Sequence, residues 1–280
     1  MKPLILTGWF TPEFTRLGLA DLVVHFPSRF VWGPLPSPDE LVTYLGACTP
    51  THRPVEHWST FASRWNRSEN RSHEDLGLAE FCQLYETIEL WFDTKPNAQL
   101  QLIWLLDYFR SHPNTVARLK LRLIDIEMIG IDRFGKWMPP AVDVTERELA
   151  TASAAWQAYR AATPEGCFDL LRKDLSALPL LRPALAELLN ELPSASTGLG
   201  ATEMRMVEMV AEGHAGTNNL FHLSSLRRTR IFNEWEHGYL LDGLALGPRP
   251  AVAGLDNELR TISRENLGLV SQRTTEAGCP

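Results

Sequence analysis

A strand-like run leads directly into a turn and then a helix over residues 86–102, and this junction constrains the fold more than any other feature of the sequence. Residues 88–92 are mostly apolar, Pro96 occupies the position preferred for proline at a helix start, and helical spacing continues to Phe109. Open α/β sheets bind ligands at such junctions, because strand ends and free helix N–H groups line a crevice there. The pattern therefore predicts an α/β fold with a small-ligand site near this turn.

Strand-like and helix-like segments alternate through the first half of the chain. Strands are predicted at residues 4–6, 22–24, 88–92 and 119–126. Helices are predicted between them, and Ser37-Pro38-Asp39-Glu40 has the pattern of a capping box. Strands separated by helices favour right-handed crossovers and a parallel sheet covered on both faces. We therefore expect a Rossmann-like α/β domain of about four parallel strands.

The pattern becomes mainly helical after Pro139-Pro140. A second capping box begins at Thr145, and Gly200-Ala201-Thr202-Glu203 has the pattern of a later helix start. The helices that follow have the order of a helix-turn-helix with a wing. We predict an α/β domain at 1–140, a helical connector at 141–193, a helical, winged-helix-like domain at 194–270 and a disordered tail at 271–280.

Composition narrows the classes of protein to consider. The formal charge is −7 and the sequence pI is about 5.7, so the molecule as a whole repels a phosphate backbone. The four cysteines form no C-x-x-C pair, and Cys48, His52 and His57 match no standard zinc spacing. No apolar run reaches the length of a membrane span. We expect a cytoplasmic protein with reduced thiols, no metal and no membrane association.

Residues that follow the predicted strands form the candidate ligand site. They are Thr7, Gly8 and Trp9 after the first strand, Asp93 and Gln99 after the third, and Arg133 after the fourth. One glycine falls short of the fingerprint G-x-G-x-x-G, so a plain tight turn is the alternative to a phosphate loop. The first hypothesis is a protein that binds a small polar molecule or a nucleotide, of unknown identity. Its helical part would contact a protein partner or a second copy.

Two carboxylates support a second hypothesis, a small-molecule enzyme. Asp125 and Glu127 alternate with apolar residues, so both point to one face near the end of a buried strand. Burial of two like charges requires Arg133, Lys95, a cation or a proton to offset the desolvation. They would then be acid or base, with Arg133 as anion anchor. The alternative is that the strand frays and both acids reach solvent.

An arginine cluster supports a third hypothesis, a DNA-binding regulator. Arg227, Arg228 and Arg230 fall on a predicted helix where they could contact phosphates. From residue 194 to the end, however, eight Arg stand against ten Asp and Glu. This balance favours a protein-contact or packing role over DNA binding.

Several segments resemble a known bacterial family. They are Trp91-Phe92 with Gln99-Leu100, Gly130-Ile131-Asp132-Arg133-Phe134, Asp174-Leu175-Ser176-Ala177-Leu178-Pro179, and residues 198–203. They resemble domain-of-unknown-function family 1835 and its usual C-terminal companion, family 3658, over residues 4–35, 85–135 and 145–250. The resemblance implies an N-terminal α/β part and a C-terminal helical part, and no activity comes with it.

The chain also departs from that family pattern. Members often follow Trp-Phe with an acid, His-Asp and then Asp-Gln, whereas this chain has Asp93, Thr94, Lys95, Ala98 and Gln99. Thr and Ala supply neither a group that ionises near neutral pH nor, unaided, a cation ligand. If the family's cleft is catalytic, we expect this member to have lost or changed the reaction.

Overall fold

The computed structural model describes residues 2–8, 14, 17–48, 56–60, 75–124, 138–213, 231–246 and 250–252. These residues form five strands: β1 Leu4–Thr7, β2 Leu22–His25, β3 Ile88–Phe92, β4 Leu119–Leu123 and β5 Val142–Asp143. They also form nine helices: α1 Pro38–Leu45, α2 Leu78–Cys82, α3 Pro96–Phe109, α4 Pro113–Val116, α5 Glu146–Arg160, α6 Glu165–Leu171, α7 Leu181–Asn190, α8 Ala201–Ala211 and α9 Glu234–Leu246.

The five strands form one sheet in the order β2-β1-β3-β4-β5. The first four are parallel, which confirms the predicted α/β fold. β5 is an antiparallel edge strand that pairs Val142 with Leu121 and Asp143 with Lys120. β5 was not predicted from the sequence, because two residues are too few to show a periodicity. β4 ends at Leu123 with Ile124 outside it, and residues 125–137 lie outside the described residues.

Both faces of the central strands are buried. Every residue of β1 and β3 is buried, as expected for parallel strands with near-continuous apolar runs. On one face, Ile5 and Trp91 pack with Phe14, Ala20 and Ile124. α3 packs on β3 and covers the opposite face, since its side chains meet Gly8, which shares a face with Leu4 and Leu6.

The helices begin where their capping residues predict. The Ser37 hydroxyl accepts the N–H of Glu40 at 3.2 Å, and the Glu40 carboxylate accepts the N–H of Ser37 at 2.7 Å. The same reciprocal box joins Thr145 and Glu148 at the start of α5. α3 runs from Pro96 to Phe109 as predicted. Capping satisfies backbone donors at a helix start, so these local patterns determine the starts.

α5 packs against α3 and runs antiparallel to it. Arg110, just after α3, pairs with Glu146 at the start of α5 at 3.4 Å. Toward the other end, the ring of Phe30 lies 5.2 Å from both Trp104 on α3 and Trp156 on α5. Nearby on α5, the Tyr159 hydroxyl donates to the carbonyl of Phe30 at 2.8 Å. α5 therefore belongs to the same layer of the molecule as α3.

The chain divides into two compact units, Met1–Leu185 and Ala186–Pro280. Most of the segment predicted as a connector, residues 141–193, thus falls within the first unit. In the second unit, a cluster that unites α8 and α9 is formed by Met206, Met209, Leu241, Leu244 and Val252. The winged-helix arrangement stays a prediction, because residues 214–230 lie outside the described part. None of the described helices has the length and apolar character that a membrane crossing requires.

Candidate functional site

The exits of β1 and β3 lie side by side at the carboxyl edge of the sheet. Thr7 pairs with Trp91, so Gly8 and Phe92 follow at the same level. β2 lies on one side of β1 and β3 on the other, so the connections that leave β1 and β2 run in opposite directions. Strand order reverses between β1 and β3, and doubly wound sheets bind ligands at such a switch point.

Gly8 provides the close approach between the sheet and α3. A Cβ atom at this position would lie 2.0 Å from Oε1 of Gln101. The Gln101 amide is fixed in place, because its Nε2 donates to the carbonyls of Phe26 at 2.9 Å and Ser28 at 2.7 Å. Gln101 thereby joins the exits of β1 and β2 to α3. Any side chain at position 8 would displace this amide.

The turn between β3 and α3 is ordered by Asp93. Its Oδ1 accepts the N–H of Lys95 at 2.8 Å, and its Oδ2 lies 3.9 Å from Nζ of Lys95. Nε2 of Gln99 donates to the Asp93 carbonyl at 2.5 Å. Asn97 reaches toward the β2 exit, where its Oδ1 accepts the N–H of Phe30 at 2.8 Å. The first two turns of α3 thus present three amide side chains to the carboxyl edge.

Two of these amides keep an acceptor oxygen without a hydrogen bond. Gln99 and Gln101 are each 1% exposed, and Oε1 of each has no hydrogen-bond partner within the described part of the chain. A buried polar atom left unpaired costs about 1–3 kcal/mol. Because each Nε2 donates to a backbone carbonyl, both oxygens keep the acceptor role. The site therefore offers two buried acceptors to a hydrogen-bond donor.

On the other face of the sheet, Glu89 and Arg122 form an ion pair whose side chains are only 10% and 12% exposed. Nε and Nη2 of Arg122 donate to the two carboxylate oxygens of Glu89 at 2.9 and 3.0 Å. The indole N–H of Trp91 donates to the same carboxylate at 2.6 Å, and Nη1 of Arg122 donates to the carbonyl of Pro139. The guanidinium also lies 5.4 Å from the centre of the Trp91 ring. The charged groups of this cluster therefore find their partners within the cluster.

His25, the last residue of β2, pairs with Thr7 of β1 and therefore lies at the same carboxyl edge of the sheet. Burial lowers the pKa of His25 below its ordinary value, and a hydrogen bond with the backbone of Gly8 opposes part of that change. Thr7 is fully buried. A neutral imidazole is therefore the form that this edge favours at neutral pH.

The structure brings Thr7, Gly8, Asp93 and Gln99 to one edge of the sheet. The other predicted site residues lie outside the described residues: Trp9, Asp125, Glu127, Arg133, Arg227, Arg228 and Arg230. Within the described residues, no three His, Cys, Asp or Glu side chains are grouped to hold a metal ion.

Four features of this region were not predicted from the sequence: Asn97, Gln101, His25 and the Glu89–Arg122 pair. One signal was present: Asn97 and Gln101 are four residues apart on an otherwise apolar helix, so they share a face. A second was the single acid in β3 opposite a strand with alternating basic residues. Neither signal identifies the partner of these side chains until the neighbouring strand is known.

Comparison of the chain with protein-family models, with curated proteins and with solved structures found no match. The resemblance to families 1835 and 3658 therefore stays a prediction.

Proposed function

We propose that this protein binds a small polar ligand that donates hydrogen bonds, at the switch point between β1 and β3. The observation that carries the proposal is the pair of buried acceptors, Oε1 of Gln99 and Oε1 of Gln101. Nucleotides are one candidate class, since the amino groups of their bases donate hydrogen bonds.

Three features of the edge support the proposal. The β1 exit passes the helix layer at a glycine, which leaves backbone rather than side chain at the switch point. α3 starts directly after β3, so its first N–H groups face the same edge. Asp93 adds a carboxylate that is 3% exposed.

A thermal-shift screen of the full chain against nucleosides, nucleotides and polar metabolites tests the proposal. A ligand at about 100 times its Kd raises the free energy of unfolding by about 2.7 kcal/mol. We expect a hit to lose affinity in Gln99→Met and in Gln101→Met, because each substitution removes an acceptor. Gln83→Met is the matched control, since Gln83 is exposed.

Isothermal titration of the folded variants separates binding from stability. Equal affinity of the hit for all three variants would place its site elsewhere, and a panel without any hit would count against the proposal. Turnover of the hit, abolished by Asp125→Asn, would favour the enzyme hypothesis. Salt-dependent binding to duplex DNA, lost in Arg227→Ala, would favour the regulator hypothesis.

A further inference from the structure

A second candidate site lies on the helical layer, apart from the strands. α1, α3 and α5 line a groove of about 290 Å³. Its apolar walls include Leu41 and Leu45 of α1, Trp104 and Tyr108 of α3, and Trp156 of α5. The residues that line the groove include none of those that form the site proposed above, so the two sites are distinct although α3 contributes to both. Its volume is at the small end of the range for ligand pockets, which suits a compact molecule with one ring.

Two opposite charges line the same groove without pairing. Asp107 of α3 and Arg160 of α5 are both half-buried. Within the described residues, the Asp107 carboxylate and the Arg160 guanidinium form no hydrogen bond or ion pair, and the guanidinium lies 5.6 Å from the centre of the Trp156 ring. Arg110, by contrast, is paired with Glu146. The groove therefore keeps one anion and one cation available.

The position of Asp107 has no stabilising role in its own helix. Asp107 lies in the last turn of α3, where the helix dipole disfavours a carboxylate. Arg160 lies in the last turn of α5, where the dipole favours a cation. Helix stability thus explains the presence of Arg160 but not that of Asp107. A cationic group on a ligand would give the Asp107 carboxylate a binding role.

The antiparallel helices separate the two charges along the groove. Asp107 follows Trp104 toward the end of α3, and Arg160 follows Trp156 toward the end of α5. Because the carboxyl ends of the two helices point in opposite directions, Asp107 and Arg160 lie toward opposite ends of the groove. A matching ligand carries an aromatic ring between an ammonium and a carboxylate group.

We propose that this groove binds a short aromatic peptide with free ends, of the size of a dipeptide. Its ammonium group pairs with Asp107, its carboxylate with Arg160, and its ring packs against the apolar walls of the groove. An extended peptide spans about 3.3–3.6 Å per residue, so a dipeptide separates its two terminal charges and remains a compact ligand. Bidentate pairing of the carboxylate with a guanidinium adds geometric specificity.

Titration calorimetry of the full chain with phenylalanyl-glycine tests the proposal. Companion probes are its N-acetyl form, which lacks the ammonium, its C-terminal amide, which lacks the carboxylate, and glycyl-glycine, which lacks the ring. Loss of one charge-assisted contact weakens binding about tenfold. We expect that loss for each companion probe that lacks a charge, and a loss at least as large for glycyl-glycine.

Two variants connect each charge of the peptide to its partner. Asp107→Asn should weaken the parent dipeptide but not the N-acetyl form, and Arg160→Gln should weaken the parent but not the amide. Arg172→Gln is the control, because Arg172 is exposed and pairs with Asp169 on α6. Circular dichroism checks that each variant is folded before its affinity is compared.

The proposal would be overturned if glycyl-glycine bound as tightly as the aromatic dipeptide. It would also be overturned if both variants bound the dipeptide like the unchanged protein, or if the dipeptide did not bind at millimolar concentration. A longer, end-blocked peptide that bound equally well would indicate a protein partner instead and would likewise contradict the proposal.

Discussion

Two polar clusters lie on opposite faces of the sheet, and they differ in how completely their hydrogen bonds are satisfied. The carboxylate of Glu89 receives three donors from Arg122 and Trp91, and the guanidinium also reaches a backbone carbonyl. The amides of Gln99 and Gln101, on the α3 face, each keep an acceptor that has no partner among the residues the structure describes. We call Glu89, Trp91 and Arg122 the closed cluster, because its hydrogen bonds are made within the protein and stabilise the fold. We call Gln99 and Gln101 the open cluster, because its unpaired acceptors indicate a ligand. Buried polarity alone therefore does not identify a binding site.

The closed cluster should show the largest effect on stability. Arg122→Met leaves the Glu89 carboxylate buried without a counter-charge, and such a loss lowers the free energy of unfolding by about 3–5 kcal/mol. Urea denaturation measures this change. The double variant Glu89→Leu with Arg122→Met should recover most of it, since neither charge then remains buried.

Lys120→Gln provides the matched control on the same strand and face. Lys120 pairs with Asp143 at 2.6 Å, but the carboxylate side chain is 78% exposed. Exposed pairs contribute at most about 1 kcal/mol. If Arg122→Met costs no more than Lys120→Gln, the closed cluster does not hold the sheet edge together.

A substitution at Gly8, which packs against the open cluster, should have a smaller effect on stability. Gly8→Ala places a methyl group against the fixed Gln101 amide, and overpacking of this kind costs about 1–3 kcal/mol. Thermal or urea unfolding measures the loss. Gly238→Ala is the control, because nothing lies within 4 Å of its added Cβ. Gly238 lies within α9, so this substitution should stabilise by about 0.5–1 kcal/mol. A Gly8→Ala variant as stable as the unchanged protein would show that the Gln101 amide moves freely.

The smallest effect should be a pH dependence from His25 at the same edge. Its pKa in the folded protein lies below the ordinary value of 6.5, so near that pH the unfolded chain binds more protons. The contribution of His25 to stability is complete above about pH 7.5, and it decreases as the pH falls through 6.5 toward the lower pKa of the folded state.

Urea midpoints measured across that range should fall less steeply in His25→Gln. Burial also lowers the pKa of His237, in the second unit, so His237→Gln removes an independent contribution. Identical pH profiles for His25→Gln and the unchanged protein would contradict the burial of His25 as a neutral ring.

Local patterns predicted much of the fold. Residues within a few positions of one another determine the limits of β3 and α3 and the capping boxes at Ser37 and Thr145. Thr7, Gly8, Asp93 and Gln99 were predicted to lie near one edge because parallel strands place their carboxyl ends together. β5 was missed because its pairing with β4 comes from the tertiary fold.

The sequence by itself determined the alternation of strands and helices, since apolar spacing and capping act over one or two turns of chain. Only the tertiary structure decided which buried polar groups meet. Glu89 and Arg122 are 33 positions apart, and Gln101 and Phe26 are 75 apart. Such contacts depend on strand order and register, which follow from packing of the whole sheet rather than from any local pattern.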